Sequence, residues 1–195
     1  MVRRVQVISQ SREYDGFLKV DKVRFRYERF DGTMSEETTR LVLERGDSVG
    51  VLLYHIRRQS VLLVEQFRYP AYVRGGPGWL LEIVAGVIEE GEGRVATAQR
   101  ELIEETGYSL SRLQDFGMFY PSPGGSSERI YLYLGLLDGM PRPGPGGGLA
   151  TEQEDIHLRE IPFSEALRMV DSGEICDGKT IIALQGLALH PPPQL

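Results

Sequence analysis

The 195-residue sequence predicts an α+β or α/β/α-sandwich fold. Stretches of alternating polarity joined by hairpin turns come first, more apolar strand-like runs follow, and segments of helical period are interspersed among them. A hydrophobic fraction of 41% with 9% aromatic residues is enough for a real core, and the length fits one medium domain or a domain with a smaller appendage.

The first forty-five residues read as a small antiparallel unit. In Val20-Asp-Lys-Val-Arg-Phe-Arg-Tyr, Val23, Phe25 and Tyr27 fall on one face and Lys22, Arg24 and Arg26 on the other, the period-2 pattern of a strand with one covered face. Asp31-Gly32 supplies a turn, and a second strand is expected from Thr38 to Glu44. The boundary is placed after residue 46, giving an N-terminal β unit over 1–46 and a main domain over 47–195.

From Ser48 the strands become more apolar. Val49 to Ile56 and Val61 to Phe67 form a hairpin across Arg57-Arg58-Gln59-Ser60. Gly75-Gly76-Pro77-Gly78 breaks the chain before a strand over Trp79 to Val84, with Trp79 read as core. Further strands are expected at Gln114 to Phe119 and Ile130 to Leu137, separated by Pro121-Ser-Pro-Gly-Gly-Ser-Ser. Residues 139 to 149, crowded with glycine and proline, allow neither helix nor strand and are expected to form a mobile loop. A strand over Asp155 to Ile161 precedes a helix from Ser164, read as its cap, to Asp171, stopped by Gly173. A last helix from Lys179 to Leu189 ends before Pro191-Pro-Pro, expected to be a frayed tail.

Composition narrows the function. The formal charge of −6 lacks the basic stripe that nucleic acid requires, so an anionic substrate must be drawn in by bound metal ions and a few arginines, with Arg68, Arg74 and Arg129 as candidates. No apolar run of eighteen residues occurs, and Met1-Val-Arg-Arg lacks the apolar stretch of a signal peptide, which predicts a cytoplasmic protein with no membrane partner. One cysteine, Cys176, excludes an intramolecular disulfide and is read as a packing residue; His55, His157 and His190 share no spacing and are read as structural.

The chemistry concentrates between Gly86 and Tyr108, which reads Gly-x5-Glu-x7-Arg-Glu-Leu-x-Glu-Glu-x-Gly-Tyr. On an α-helix Glu101, Glu104 and Glu105 occupy an arc of roughly 100°, beside an apolar stripe of Val95, Ala98 and Leu102. Carboxylates this close repel and raise one another's pKa unless a cation holds them, and a hard ion such as Mg2+ or Mn2+ takes such ligands while leaving positions open for phosphate oxygens. Gly107 stands where a left-handed C-terminal residue is expected. A merely solvated acidic face would not need nine specified positions over twenty-three residues.

Filled by Gly86, Glu92, Arg100, Glu101, Leu102, Glu104, Glu105, Gly107 and Tyr108, this pattern resembles the signature of the Nudix hydrolases with no departure. Trp79-Leu-Leu-Glu-Ile-Val-Ala-Gly, Ser122-Pro-Gly-Gly-Ser-Ser-Glu-Arg and Glu152-Gln-Glu-Asp-Ile resemble the branch that cleaves ADP-ribose and other nucleoside-diphosphate sugars. The resemblance implies an α/β/α sandwich with a mixed sheet, preceded by an antiparallel β unit that exchanges strands across a homodimer.

It also implies roles for individual residues. Glu101 and Glu105 match metal-ligand positions, with the carbonyl of Ala85 as a further ligand and Glu104 in the same cluster. Arg100 would orient those acids, and Glu92 would support the loop and helix. The base that takes the proton of the attacking water would be Glu152, with Glu154 as its rival. Arg68 and Glu82 would contact the substrate or organise its pocket, and Ser122, Gly124 and Arg129 would line it. The expected activity is hydrolysis of ADP-ribose to AMP and ribose 5-phosphate. Gly173-Glu-Ile-Cys-Asp-Gly-Lys-Thr looks more like relatives that hydrolyse GDP-mannose, which stands as the alternative. A non-catalytic ADP-ribose sensor is the reading from another class, disfavoured because such proteins lose the box acids.

Overall fold

The computed structural model describes residues 3–140, 142–149, 151 and 153–193. The chain divides into two compact units, one made of residues 1–46 with 120–129 and the other of 47–119 with 130–195. The loop carrying Ser122, Gly124 and Arg129 therefore belongs to the same unit as the N-terminal strands.

That first unit is a three-stranded antiparallel sheet, β1 (Val5–Asp15), β2 (Lys19–Tyr27) and β3 (Thr38–Glu44), in the order β1-β2-β3. The alternation in β2 is visible in its half-buried Val23 and Phe25 between exposed Lys22, Arg24 and Arg26. The same face buries Asp21, which is held by Arg12 and accepts a 3.0 Å hydrogen bond from Gln10. Gly125 accepts from the Leu43 amide at 2.8 Å and the Ser127 amide donates back to Leu43 at 3.1 Å, so the 120–129 loop runs beside β3.

The second unit is a seven-stranded mixed sheet between helices. It contains β4 (Ser48–His55), β5 (Ser60–Phe67), β6 (Trp79–Glu82), β7 (Val84–Val87), β8 (Gln114–Phe119), β9 (Ile130–Leu136) and β10 (His157–Pro162). The main path runs β10-β5-β4-β9-β8, with β6 on β5 and β7 on β4, and only β4 and β9 pair in parallel. Every residue of β4 is buried, as befits a central strand covered on both faces. Val49, Val51 and Leu53 face one helical layer and Leu52 and Tyr54 the other.

The helices are α1 (Tyr69–Tyr72), α2 (Arg94–Glu101), α3 (Phe163–Ser172) and α4 (Gly178–Leu189). Ala98 and Leu102 pack on the Val49 face, while Ala166, Ala183, Leu184 and Leu187 of α3 and α4 pack on the Leu52 face. Truncating a side chain as enclosed as Leu184 would cost about 2–5 kcal/mol. No helix among the described residues is long and apolar enough to cross a membrane.

Several sequence expectations need correction. The strand expected over Trp79–Val84 is two strands, because β6 pairs with β5 and β7 crosses to β4, turning at Ile83. Trp79 is 60% exposed and packs on Phe67, with ring centroids 4.9 Å apart, so it is not core. Val95 is exposed, and Thr97 takes its place among the buried residues of α2. Ser164 does not cap α3, which starts one residue earlier behind Pro162. Cys176 is exposed; Ile175 beside it does the packing.

Candidate active site

The acidic segment is set against the sheet by backbone pairing. Strand β7 lies antiparallel to β4 with Gly86 opposite Val49, and α2 packs over both strands through Ala98 and Leu102. This brings the Glu101 carboxylate onto the backbone of Gly86, where any Cβ would overlap it. Gly86 is a glycine because the acid occupies the space of its side chain.

Helix α2 continues into a five-residue π-helical turn, Leu102–Thr106, so the acids are spaced differently from the α-helical arc read from the sequence. The Thr106 hydroxyl donates to the Leu102 carbonyl at 2.5 Å inside this turn. It ends at Gly107, left-handed with φ 74°, where a side chain would also strike the Gly144 carbonyl. Glu101 and Glu105 are buried, at 9% and 2% exposure, although both are acids.

Arg100 sits among the carboxylates. It contacts Glu101 at 2.8 Å and Glu104 at 2.9 Å through one terminal nitrogen, and reaches Glu92 at 3.2 Å and 3.3 Å through Nε and the other. Burial pushes the Glu101 carboxyl up to about 7 against the pull of Arg100, with Glu104 and Glu154 adding repulsion. Burial also lifts Glu105 well above its ordinary range, reinforced by Glu101 and Glu154 and opposed by Arg68. Its Oε2 is buried without a hydrogen-bond partner among the described residues.

A buried carboxylate oxygen with no donor, beside a second carboxylate seated in a glycine cradle, is the donor chemistry of a hard divalent cation. Among the described residues no three acids stand together as a ready chelate, since Arg100 bridges the outer ones. The half-buried Ala85, whose carbonyl the resemblance adds as a ligand, immediately precedes the cradle in β7.

The glycine-rich loop expected to be mobile is tied to this helix end. Gly144, Gly147 and Gly148 donate to the carbonyls of Gly107, Glu105 and Glu104 at 3.3, 2.8 and 3.0 Å, and Arg142 reaches the Thr106 carbonyl at 3.1 Å. These bonds satisfy carbonyls that a helix end leaves open. The loop then places Glu154, whose Oε2 accepts from the Leu149 amide at 3.0 Å and whose charge bears on Glu101 and Glu105. Glu152 lies outside the described residues.

On the other side, Arg68 grips the buried Glu82 with two bonds, Nε to Oε1 at 2.7 Å and Nη2 to Oε2 at 3.0 Å. Lys179 bonds the same Oε2 and lies 3.1 Å from Asp177, which caps α4 by accepting from the Thr180 amide at 3.0 Å and hydroxyl at 2.6 Å. The Thr180 hydroxyl in turn accepts from the Ile83 amide at 2.8 Å. Burial works to raise the Glu82 pKa, but Arg68 and Lys179 hold it below the usual carboxylate range. Arg74 is exposed.

The second unit thus brings together Arg68, Glu82, Ala85, Arg100, Glu101, Glu104, Glu105 and Glu154, whereas Ser122, Gly124 and Arg129 belong to the first. Sequence reasoning missed Asp177, Lys179 and Thr180. The signal was present, since an aspartate three residues before a threonine at the head of an apolar helical run is a capping pattern.

The NUDIX domain model matches residues 44–180. The chain is 41% identical over 186 residues to an ADP-ribose pyrophosphatase of Escherichia coli (strain K12), covering 95% of this chain and 88% of that one. It is 37% identical over 187 residues to a GDP-mannose pyrophosphatase of Cronobacter sakazakii (strain ATCC BAA-894), covering 95% and 96%. A solved structure described as an ADP compounds hydrolase shares the fold with a TM-score of 0.72 at 15% identity, over 97% of this chain and 95% of that one.

Proposed function

The chain belongs to the NUDIX family, and from that premise we propose that it hydrolyses the diphosphate of ADP-ribose to AMP and ribose 5-phosphate. The observation that carries the reading is the unpartnered buried oxygen of Glu105 beside the cradled Glu101, at the family's metal position on a chain 41% identical to an ADP-ribose pyrophosphatase.

Glu101, Glu105 and the Ala85 carbonyl would hold divalent ions, Mg2+ or else Mn2+, with Glu104 in support. A bound divalent ion supplies charge neutralisation on phosphate oxygens and a water of lowered pKa. Arg100 fixes Glu92, Glu101 and Glu104 by three ion pairs, so that they are not rearranged during turnover. Arg68, anchored on Glu82, presents a cation to the diphosphate. A glutamate of the 152–154 segment accepts the proton of the attacking water; Glu154 is held on the docked loop facing the acids, and Glu152 is the other candidate. Ser122 and Gly124 are assigned to substrate binding on the resemblance, and Arg129 on the resemblance and on the need of an anionic substrate for local cations.

A second reading, GDP-mannose as substrate, is favoured by the 37%-identical relative and by the Asp177-Gly-Lys-Thr segment. We also propose a homodimer formed through the N-terminal unit, supported by its exposed Val5, Val7, Phe17 and Leu41. Initial rates with Mg2+ on ADP-ribose and GDP-mannose, with products separated by chromatography, test the assignment. AMP released preferentially from ADP-ribose supports it, preference for GDP-mannose transfers it to the second reading, and binding of ADP-ribose without turnover would make the protein a sensor.

A further inference from the structure

The Arg68–Glu82 pair looks at first like a cation spent on its own chain. Glu82 is 1% exposed, so its charge must be neutralised where it lies, and one guanidinium gripping both oxygens would be cancelled in doing so. Lys179 changes that balance. It bonds Oε2 of Glu82 from a side chain that is only 12% exposed, so one buried carboxylate is shared by two cations.

Lys179 is itself fixed. Asp177 holds its ammonium at 3.1 Å through Oδ1, while Oδ2 takes the Thr180 amide at the first turn of α4, where the partial positive charge of a helix N-terminus offsets the acid. Arg68 therefore keeps positive charge on a guanidinium whose side chain is 42% exposed and whose orientation is set by two bonds. The charge of Glu105 is among those that act on Arg68.

We propose that Lys179, seated by Asp177 on the first turn of α4, is a positioning residue that holds Arg68 through Glu82, in orientation and in charge, for the diphosphate of the substrate. The proposal rests on the diphosphatase reading above. It makes Lys179 act at a distance, from a buried place, with Arg68 as the group that touches phosphate.

A double-mutant cycle tests it. K179M is expected to raise KM on the order of tenfold with kcat changed by less than about threefold, and K179R to restore most of the loss. In an R68M background K179M is expected to add less than about twofold, because the group it positions is gone. D177N is expected to give the K179M pattern at smaller amplitude, and replaces K179M if that variant does not fold. Losses that multiply in R68M/K179M would overturn the proposal by showing that Lys179 acts on the substrate independently, and an unchanged KM in K179M and D177N would overturn it outright. Should the unmodified protein hydrolyse neither nucleotide sugar, the functional reading fails on its own. The same cycle, read by calorimetry with inorganic pyrophosphate on the Mg2+-loaded protein, then decides the network separately.

Discussion

Removing one buried acid is expected to make the metal-free protein more stable while weakening its metal site. Glu101 is 9% exposed and its carboxyl is pushed up to about 7, against about 4.5 for an ordinary glutamate. A carboxyl whose folded pKa is raised contributes full stability below its unfolded pKa and loses it as pH rises through the folded one. Ionising Glu101 therefore costs the metal-free fold about 3 kcal/mol by pH 8, falling to under about 1 kcal/mol at pH 5. Glu105 acts in the same direction. At about 2–4 °C per kcal/mol for a chain of this size, E101Q is expected to raise the melting temperature by about 6–12 °C at pH 8 in EDTA, and by only a few degrees at pH 5. The glutamine oxygen still accepts from Arg100. Added Mg2+ should then stabilise the unmodified protein more than the variant. Thermal scans at both pH values, with EDTA and with Mg2+, make the comparison. A melting temperature in EDTA that does not change between pH 5 and pH 8, together with no gain in E101Q, would refute the crowded-acid argument.

Glu105→Gln is expected to lower kcat by two orders of magnitude or more with KM changed severalfold at most, since a ligand's benefit peaks in the transition state; near-normal kcat at saturating Mg2+ would sink the assignment. Gly86→Ala forces Glu101 out of its cradle and is expected to lower turnover at least tenfold, with the far-ultraviolet circular dichroism of the native protein retained. Retained activity would show that the carboxylate works from another position. Glu152→Gln and Glu154→Gln, measured side by side, are expected to differ by more than tenfold in kcat, the larger loss marking the base. Equal mild effects would remove the base from this loop.

Much of this was legible in the sequence because local rules fixed it. The alternation of β2, the apolar run of β4 and the glycines at 86 and 107 each carry a signal within a few residues of where it acts. What was hidden depends on partners distant along the chain. Trp79 reads as core until β6 is seen at the edge of β5, where its ring meets that of Phe67. The π-helical turn has no period of its own over five residues, and the docking of residues 144–148 uses main-chain groups that every sequence possesses. Lys179 was invisible as a site residue because nothing near it names Glu82.

That last pairing has a consequence for how the enzyme comes into being. Glu82 and Lys179 are 97 residues apart, as are the Ile83 amide and the Thr180 hydroxyl that accepts from it. At about 5–20 residues per second, a ribosome adds Lys179 about 5–20 s after Glu82. Throughout that interval the nascent chain holds a carboxylate whose second cation has not yet been made, and a strand end whose amide has only water to donate to. The end of β6 and the turn at Ile83 therefore gain these last bonds only once the helix from Gly178 has been synthesised.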